Sequence, residues 1–262
     1  MRQLKLTVAY DGTDFVGWQR QKSGASVQGL LESALSQIDG AEVHVHGAGR
    51  TDAGVHALAQ VASARVLNLH DGATLRRAIN AQLPPTVRVI SVEDAAPDFH
   101  ARFSAQGKTY RYLILQSDTA SPFLRHYVWH VPRTLDVTAM ARAAAAFCGT
   151  HDFSALQSTG GHVTHAIRTV TASTVFACSA RSAAVCQLPL AIPEGATLVV
   201  FEVSANGFLR HMVRAMVGTL VEVGDKRRPA GSISGVLEGR LRAAAGITAP
   251  PSGLWLVSVH YC

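Results

Sequence analysis

The sequence contains few cysteines, and their spacing argues against a disulfide framework and against a cysteine zinc site. Cysteine occurs at four of 262 positions: Cys148, Cys178, Cys186 and Cys262. No two of them are spaced Cys-x-x-Cys, as the common zinc and redox motifs require. The sequence therefore predicts neither a disulfide framework nor a cysteine zinc site, and we expect a reducing cytoplasm as its environment.

Charged residues and long apolar runs are also scarce. Asp, Glu, Lys and Arg make up 16% of the chain, whereas an average globular protein contains about a quarter. No apolar run reaches the roughly 18 residues that a membrane span needs. The first residues alternate like a strand and lack the apolar core of a signal peptide. We therefore expect a cytoplasmic protein that does not enter a membrane.

The charges that are present favour the positive sign. Lysine and arginine total 24 against 18 acidic residues, which gives a formal net charge of +6. Such a surplus is consistent with a polyanionic partner such as nucleic acid. It is equally consistent with a solvated basic surface that binds nothing. Because 48% of the residues are hydrophobic, the chain also has enough apolar side chains to bury a sizeable core.

Apolar periodicity in the first hundred residues predicts both strands and helices. Residues 4–10 alternate between apolar and polar side chains, as a half-buried strand does. Residues 27–38 carry a helical apolar stripe, with Ser26 as the expected cap and Gly40 as the expected end.

Similar patterns recur along the rest of the chain. The last third is predicted to contain, in order, a loop-like excursion at 178–197, helices at 208–223 and 232–244 and a terminal strand at 254–260. Interleaved strands and helices indicate an α+β architecture with mostly antiparallel sheet. We expect two similar domains, 1–105 and 106–262.

The segment with the most chemical information runs from Gly47 to His56, with the sequence GAGRTDAGVH. Glycines on both sides allow a sharp turn and the close approach of a substrate. Arg50 and Asp52 stand two residues apart at the apex, where a guanidinium can keep a carboxylate ionised. An ionised Asp can act as a nucleophile or a base. The alternative is a tight turn stabilised by a structural Arg–Asp pair.

This segment resembles the active-site loop of the tRNA pseudouridine synthase A family, whose pattern is G-R-T-D-x-G-V-H. Further matches follow in order along nearly the whole chain: Tyr10-Asp11-Gly12-Thr13-x-Phe15-x-Gly17-Trp18-Gln19, Phe99-His100-Ala101-Arg102-Phe103-Ser104-Ala105, Lys108-x-Tyr110-x-Tyr112, Gly149-x-His151-Asp152-Phe153, Phe208-Leu209-x-x-Met212-Val213-Arg214 and Pro250-Pro251-x-Gly253-Leu254. Each match alone is weak, but the ordered set is highly specific.

The resemblance implies a fold and a reaction. The fold would consist of two α/β-sandwich-like halves with a central cleft. The reaction breaks the N1–C1′ bond of a uridine in RNA, turns the uracil and joins its C5 to C1′. It needs no cofactor and no metal. The chain likewise lacks a phosphate-binding loop and a dinucleotide fingerprint.

The matched positions also receive roles from the resemblance. Asp52 corresponds to the catalytic carboxylate, which attacks either C1′ or C6 of the base. Arg50 resembles the residue that enters the base stack when the target base leaves it. Tyr110 matches an active-site tyrosine that stacks on the uracil and helps to remove the C5 proton. Arg214 resembles the basic partner of the catalytic Asp, and Leu254 an apolar residue that packs on the target base.

The stretch formed by Phe99, His100, Ala101, Arg102 and Phe103 matches a segment that contacts RNA. We expect an extended chain here, in which His100 and Arg102 share one side and both can reach phosphate. The family's substrate site is the tRNA anticodon stem–loop at roughly positions 38 to 40, reached by base extrusion. Its members act as homodimers, so we expect a homodimer here.

The sequence departs from the family pattern at three places. Leu156 stands where an aromatic residue is expected, the segment 224–227 lacks a second glycine, and the excursion at 178–197 is longer than usual. None of these departures lies in the loop of Asp52. They bear on peripheral RNA contacts and leave the reaction unaffected.

Other interpretations of the same residues stay open. Tyr112 is expected to be a core aromatic and Arg210 a solvated residue. His44, His46 and His56 suggest a metal-dependent hydrolase, although no carboxylate or cysteine pattern completes such a site. A non-catalytic RNA-binding protein of the same fold and a related synthase that acts on other RNAs are the remaining alternatives.

Overall fold

The computed structural model describes residues 1–158, 165–179 and 192–262, which contain ten strands and five α-helices. In chain order these are β1 (Arg2–Tyr10), α1 (Val27–Asp39), β2 (Val45–Gly47), β3 (His56–Val66), α2 (Gly72–Gln82), β4 (Val87–Ala95), β5 (Gly107–Gln116), β6 (Trp129–Val131), α3 (Val137–Ala145), β7 (Gly149–Asp152), β8 (Ile167–Ser179), β9 (Thr197–Ala205), α4 (Met212–Gly224), α5 (Ile233–Gly239) and β10 (Leu254–His260). The middle of the predicted excursion at 178–197 lies outside the described residues.

The chain divides into two compact units. The first comprises Met1–Lys108 and Trp255–Cys262, and the second comprises Thr109–Leu254. This differs from the division after residue 105 that the sequence suggested, because the C-terminal strand belongs to the first unit. Strand β10 lies parallel to β3 there, with Trp255 opposite His56 and Leu256 opposite Ala57.

In the first unit the strands follow the order β4-β1-β3-β10, and β2 also pairs with β3. Strand β1 is antiparallel to both β3 and β4, and β2 is antiparallel to β3. The alternation predicted for the first strand is confirmed, since Leu4, Leu6 and Val8 are fully buried. Between them, Lys5 and Thr7 are half-buried.

Helix α1 forms where the apolar stripe predicted it. The Ser26 side chain accepts a hydrogen bond from the Gly29 N–H, and Gly40 ends the helix in the left-handed conformation with φ of +71°. These are the cap and the end that the sequence indicated. The buried face consists of Val27, Leu31, Ala34 and Leu35.

In the second unit the strands follow the order β5-β9-β8-β7, and β6 pairs in parallel with β5. Strand β8 is antiparallel to both β7 and β9. Helix α3 packs against β8 and α4. The α+β architecture with mostly antiparallel sheet is thus confirmed.

Two helices in the second unit are shorter than predicted. Helix α4 begins at Met212 and not at residue 208, because His211 has a left-handed backbone with φ of +62°. Helix α5 ends at Gly239 and not at residue 244, because Arg240 is also left-handed, with φ of +52°. Apolar periodicity does not register such a reversal of the backbone. Within the described ranges, no helix has the length and apolar character needed to cross a membrane.

Candidate active site

The loop between β2 and β3 carries the predicted catalytic carboxylate. Arg50 is exposed, Thr51 is 6% exposed and Asp52 is half-buried, so successive side chains alternate between solvent and core. The Val55 N–H donates to the Asp52 carbonyl at 3.2 Å and closes the turn. The loop therefore presents both charged side chains while its middle residue anchors it.

The last residue of β1 and the segment that follows this strand hold the loop in place. The hydroxyls of Tyr10 and Thr51 are hydrogen-bonded at 2.8 Å, and the Trp18 N–H donates to the Thr51 carbonyl at 3.1 Å. Thr51 is thus fixed through both its side chain and its backbone. Because Thr51 precedes Asp52 directly, these bonds also restrict the position of the carboxylate.

The motif at 10–19 contains two glycines, Gly12 and Gly17, that allow its backbone to approach the loop of Asp52 closely. A Cβ on Gly12 would lie 2.0 Å from the Val55 carbonyl oxygen. Gly17 has φ of +110°, and its Cβ would lie 2.5 Å from the Thr51 carbonyl oxygen. Any larger residue at either position would push the loop away. The two motifs, distant in sequence, therefore form one structural element.

Tyr10 and His56, which contact the segments around the Asp52 loop, are both buried. Burial raises the pKa of Tyr10 to about 12, although its hydrogen bonds with Thr51 and Gln60 oppose the shift. His56 is fully buried, and its Nδ1 accepts a hydrogen bond from the Gly12 N–H at 3.1 Å. Its ring stacks on Trp255 with centroids 4.4 Å apart. His56 therefore has a structural role beneath the loop.

The three histidines of the metal-hydrolase interpretation do different things. His44 is exposed, and His46 stacks on His100 with ring centroids 5.0 Å apart. His56 is fully buried, and its Nδ1 accepts a hydrogen bond from the Gly12 N–H. Among the residues that the structure describes, no three His, Cys, Asp or Glu side chains form a group that could hold a metal ion. The geometry thus gives that interpretation no support.

The stretch from Phe99 to Phe103 is a turn and not the extended chain that the sequence suggested. The Ser104 N–H donates to the His100 carbonyl at 2.9 Å. Ala101 at the centre is fully buried, because its N–H donates to Ser63 Oγ and its carbonyl accepts from the Tyr261 hydroxyl. The turn forms because these two tertiary bonds satisfy the buried backbone.

The other residues of this turn divide into a packed group and an exposed group. Phe99 packs against the buried cluster that contains Ala101. Phe103 is 77% exposed, and the Arg102 guanidinium lies 5.7 Å from the centre of its ring. The His100 ring lies 4.4 Å from that of Phe103. His100, Arg102 and Phe103 thus form a basic and aromatic surface suited to nucleic acid.

Burial and nearby positive charge make His100 a weaker base. Partial burial is the main cause that lowers the pKa of His100, and the nearby His46 and Arg102 lower it further. The Nδ1 atom of His100 accepts hydrogen bonds from the Arg102 and Phe103 N–H groups at 3.1 and 3.4 Å. These bonds fix the orientation of the ring.

Lys108, to which the sequence assigned no role, lies against the loop of Asp52. It is half-buried, and a Cβ on Gly49 would lie 3.1 Å from its Cε. Burial lowers the pKa of Lys108, and the charge of Arg102 lowers it further. Its place in the Lys-x-Tyr-x-Tyr motif was a signal that could have drawn attention to it.

In the second unit, β5 carries the two tyrosines of that motif. Tyr110 is 7% exposed and meets Phe208 edge-on with centroids 5.0 Å apart. Tyr112 is fully buried, and its hydroxyl donates to the Pro250 carbonyl at 2.8 Å. Burial raises the pKa of Tyr112 well above its usual range. The expectation that Tyr112 is a core residue is confirmed.

Arg214 on α4 is tied to the segment before β10. Its Nε donates to the Ala249 carbonyl at 2.7 Å, and the Ala249 N–H donates to the Arg214 carbonyl at 3.1 Å. Its charge acts on Tyr112 and partly opposes the rise of that pKa. Leu254 is 6% exposed. Arg210, which precedes the start of α4, is exposed, as predicted.

Two of the departures from the family pattern, Leu156 and the segment 224–227, lie in the described parts of the structure. Leu156 is fully buried, so it is a core residue. The Asp225 carboxylate binds both Arg133 and Arg227, and Arg228 pairs with Glu222 at 2.9 Å. The charges of Arg227 and Arg228, which follow α4, are therefore paired with neighbouring carboxylates.

The structure thus places the predicted site residues as follows. Asp52 and Arg50 share one loop of the first unit. The same unit contains the turn with Phe99, His100, Ala101, Arg102 and Phe103. Tyr110, Arg214 and Leu254 belong to the second unit.

Comparison with known proteins gives matches along the chain. A family profile described as "tRNA pseudouridine synthase" matches residues 6–104 and 143–262. The "tRNA pseudouridine synthase A" of Acetivibrio thermocellus is 41% identical over 261 residues, covering 100% of both chains. Proteins with the same description from Myxococcus xanthus and Roseiflexus castenholzii are 45% and 43% identical, over 100% of this chain and 92% and 91% of theirs.

Proposed function

The chain belongs to the tRNA pseudouridine synthase family, and from this premise we propose that it isomerises uridine in the tRNA anticodon stem–loop, at roughly positions 38 to 40. Asp52 is the proposed nucleophile. The observation that carries the proposal is the position of Asp52: it is half-buried, on a loop whose preceding residue is held by Tyr10 and Trp18. A fixed carboxylate is what covalent catalysis requires.

The proposed reaction balances without any other reagent. The Asp52 carboxylate attacks the nucleotide, the N1–C1′ bond breaks and the uracil turns. C5 then bonds to C1′ and loses its hydrogen as a proton, while N1 gains a proton, and release of the carboxylate restores the enzyme. No electrons are gained or lost overall, so the step needs neither an oxidant nor a reductant.

The exposed residues of the first unit supply the proposed RNA contacts. Arg50 is exposed beside the carboxylate, where it would occupy the stack that the extruded base leaves. Flipping costs a few kcal/mol of stacking, which an inserted side chain partly offsets. His100, Arg102 and Phe103 would contact the stem–loop directly. Phe99 and Ala101 would hold that turn in shape, because both pack inward.

The second unit supplies the remaining proposed groups. Tyr110 offers a buried ring that can stack on uracil and a hydroxyl that can help to remove the C5 proton. Arg214, oriented by its bond to Ala249, is the proposed basic residue of the reaction. Leu254 is the proposed apolar contact for the base. We further propose that the enzyme acts as a homodimer in the cytoplasm, which mass measurement in solution and fractionation would test.

Release of tritium tests the reaction. Purified protein is incubated with tRNA that carries tritium at uridine C5, because this hydrogen is lost to water when C5 becomes the glycosidic carbon. Asp52→Asn should abolish release while leaving the Kd for tRNA within about tenfold, since phosphate contacts dominate affinity. Asp14→Asn is the matched control, because Asp14 is exposed and belongs to the same unit.

The outcomes separate the competing functions. Tight tRNA binding by wild type without tritium release would establish the non-catalytic binding protein instead. Loss of binding together with activity in Asp52→Asn would show that Asp52 is structural. Changing the uridines at 38, 39 and 40 to cytidine, one at a time, tests the assigned positions. Release from unrelated structured RNAs at the same rate would point to the related synthase.

A further inference from the structure

Lys108 carries a charge that the described protein does not neutralise. Its side chain is half-buried and lies against Gly49, on the loop of Asp52. In the described parts of the chain, no carboxylate lies within ion-pair distance of its Nζ. Burial lowers the pKa of Lys108, and the like charge of Arg102 lowers it further. A partly buried ammonium without a partner is costly.

Other cations of the same unit have carboxylate partners. Arg2 pairs with Asp94 at 2.6 Å, and Lys5 pairs with Glu93 at 3.5 Å. Among the described residues, Lys108 and Arg102 have no such carboxylate partner, and the charge of Arg102 acts on Lys108. Two interacting cations without a neutralising carboxylate would stabilise an anion that binds to both.

We propose that Lys108 and Arg102 together bind one backbone phosphate of the RNA substrate, and that Lys108 thereby positions the target nucleotide at the Asp52 loop. The inference rests on the proposed function, because it takes RNA as the source of the phosphodiester.

The geometry favours a phosphate for two reasons. Lys108 offers a compact charge, whereas Arg102 offers a planar fork of donors, and the two are complementary ligands for phosphate oxygens. The Lys108 stem is packed on Gly49, next to Arg50, so the charge is held in place before RNA arrives. A phosphate bound there would lie close to the nucleotide that is extruded toward Asp52.

The test begins with Lys108→Met, which keeps an unbranched stem against Gly49 and removes the charge. Lys5→Met is the matched control, since Lys5 lies in the same unit and its charge is already paired. Lys108→Met should raise the Kd and KM for an anticodon stem–loop about tenfold, as expected for a charge-assisted contact. The kcat should stay within about threefold. Its Tm should be equal to or above that of wild type, because an unpaired charge is removed.

Salt and phosphate chemistry identify the ligand. The slope of log Kd against log salt should fall by about one unit in Lys108→Met and not in Lys5→Met. A series of stem–loops, each with one neutral methylphosphonate, should contain a position that weakens wild-type binding about tenfold. At that position the same substitution should have no further effect on Lys108→Met, because both changes remove one contact.

Three results would overturn the inference. The first is unchanged Kd in Lys108→Met while wild type binds tightly and releases tritium, which would leave the proposed function intact. The second is a methylphosphonate series whose effects remain fully additive with the substitution. The third is a lowered Tm in Lys108→Met with unchanged salt slope, which would show a structural role. If wild type binds no RNA at all, the proposed function and this inference fail together.

Discussion

The hydroxyl of Tyr10 lies 2.8 Å from the hydroxyl of Thr51, and both side chains are almost completely buried, at 4% and 6% exposure. This bond joins the last residue of the first strand to the residue before Asp52. Since water does not reach it easily, its loss cannot be compensated by solvent. The position of the proposed nucleophile therefore depends on Tyr10, a residue more than forty positions earlier in the sequence.

The first prediction concerns the bond itself. Tyr10→Phe and Thr51→Val should each lower the free energy of unfolding by about 1 to 3 kcal/mol, because each leaves a buried hydroxyl without its partner. The double variant should lose less than the sum, with a coupling of about 1 kcal/mol. Urea denaturation of the four proteins measures this cycle. Additive losses would show that the two hydroxyls do not stabilise one another.

The second prediction concerns alkaline pH. Burial raises the pKa of Tyr10 to about 12, whereas the unfolded chain titrates near 10. The stability contributed by the protonated form is complete below pH 10 and is lost as the pH rises toward 12. The loss amounts to about 2 to 3 kcal/mol.

Comparison of wild type with Tyr10→Phe isolates this contribution, since the other tyrosines are present in both. The difference in unfolding free energy between the two proteins should shrink between pH 10 and 11, as measured by urea denaturation. A difference that stays constant over this range would contradict the assignment of the shift to Tyr10.

The third prediction compares two glycines. Gly12→Ala should destabilise the first unit by several kcal/mol and reduce turnover strongly, because the added Cβ would lie 2.0 Å from the Val55 carbonyl oxygen. Gly235→Ala, inside α5, meets nothing within 4 Å and should stabilise by about 0.5 to 1 kcal/mol. Thermal melting and tritium release measure both. Normal activity in Gly12→Ala would show that the loop tolerates displacement.

The fourth prediction separates chemistry from packing at two tyrosines of β5. Tyr110→Phe keeps the ring against Phe208 and should lower kcat about a hundredfold, if the hydroxyl takes part in proton removal. Tyr112→Phe should keep kcat within about threefold. It should lose about 1 to 3 kcal/mol of stability, because the Pro250 carbonyl loses its donor. The reverse pattern would exchange the two roles.

Much of the secondary structure was predictable because its causes are local. The alternation of β1 and the capped stripe of α1 are properties of neighbouring residues, and both elements form where the sequence indicated. The start of α4 was not predictable in this way. His211 adopts a positive φ there, which a non-glycine residue does only when tertiary contacts hold it.

The candidate site shows the same division. The Gly-Arg-Thr-Asp loop is recognisable from its resemblance to the family pattern, but the sequence could not indicate that Tyr10 and Trp18 hold Thr51. The turn at Ala101 was predicted as extended chain, because the hydrogen bonds that hold it join Ala101 to Ser63 and Tyr261, which are distant in the sequence.

The sequence by itself determined the family and the type of most strands and helices, since motifs and periodicities are properties of neighbouring positions. Only the tertiary structure decided which charges are neutralised. Arg227 and Arg228 have acidic partners nearby, whereas Lys108 is packed on Gly49 beside Arg102. Burial and pairing depend on side chains that are far apart in the chain and adjacent in space, and for that reason composition could not distinguish these cations.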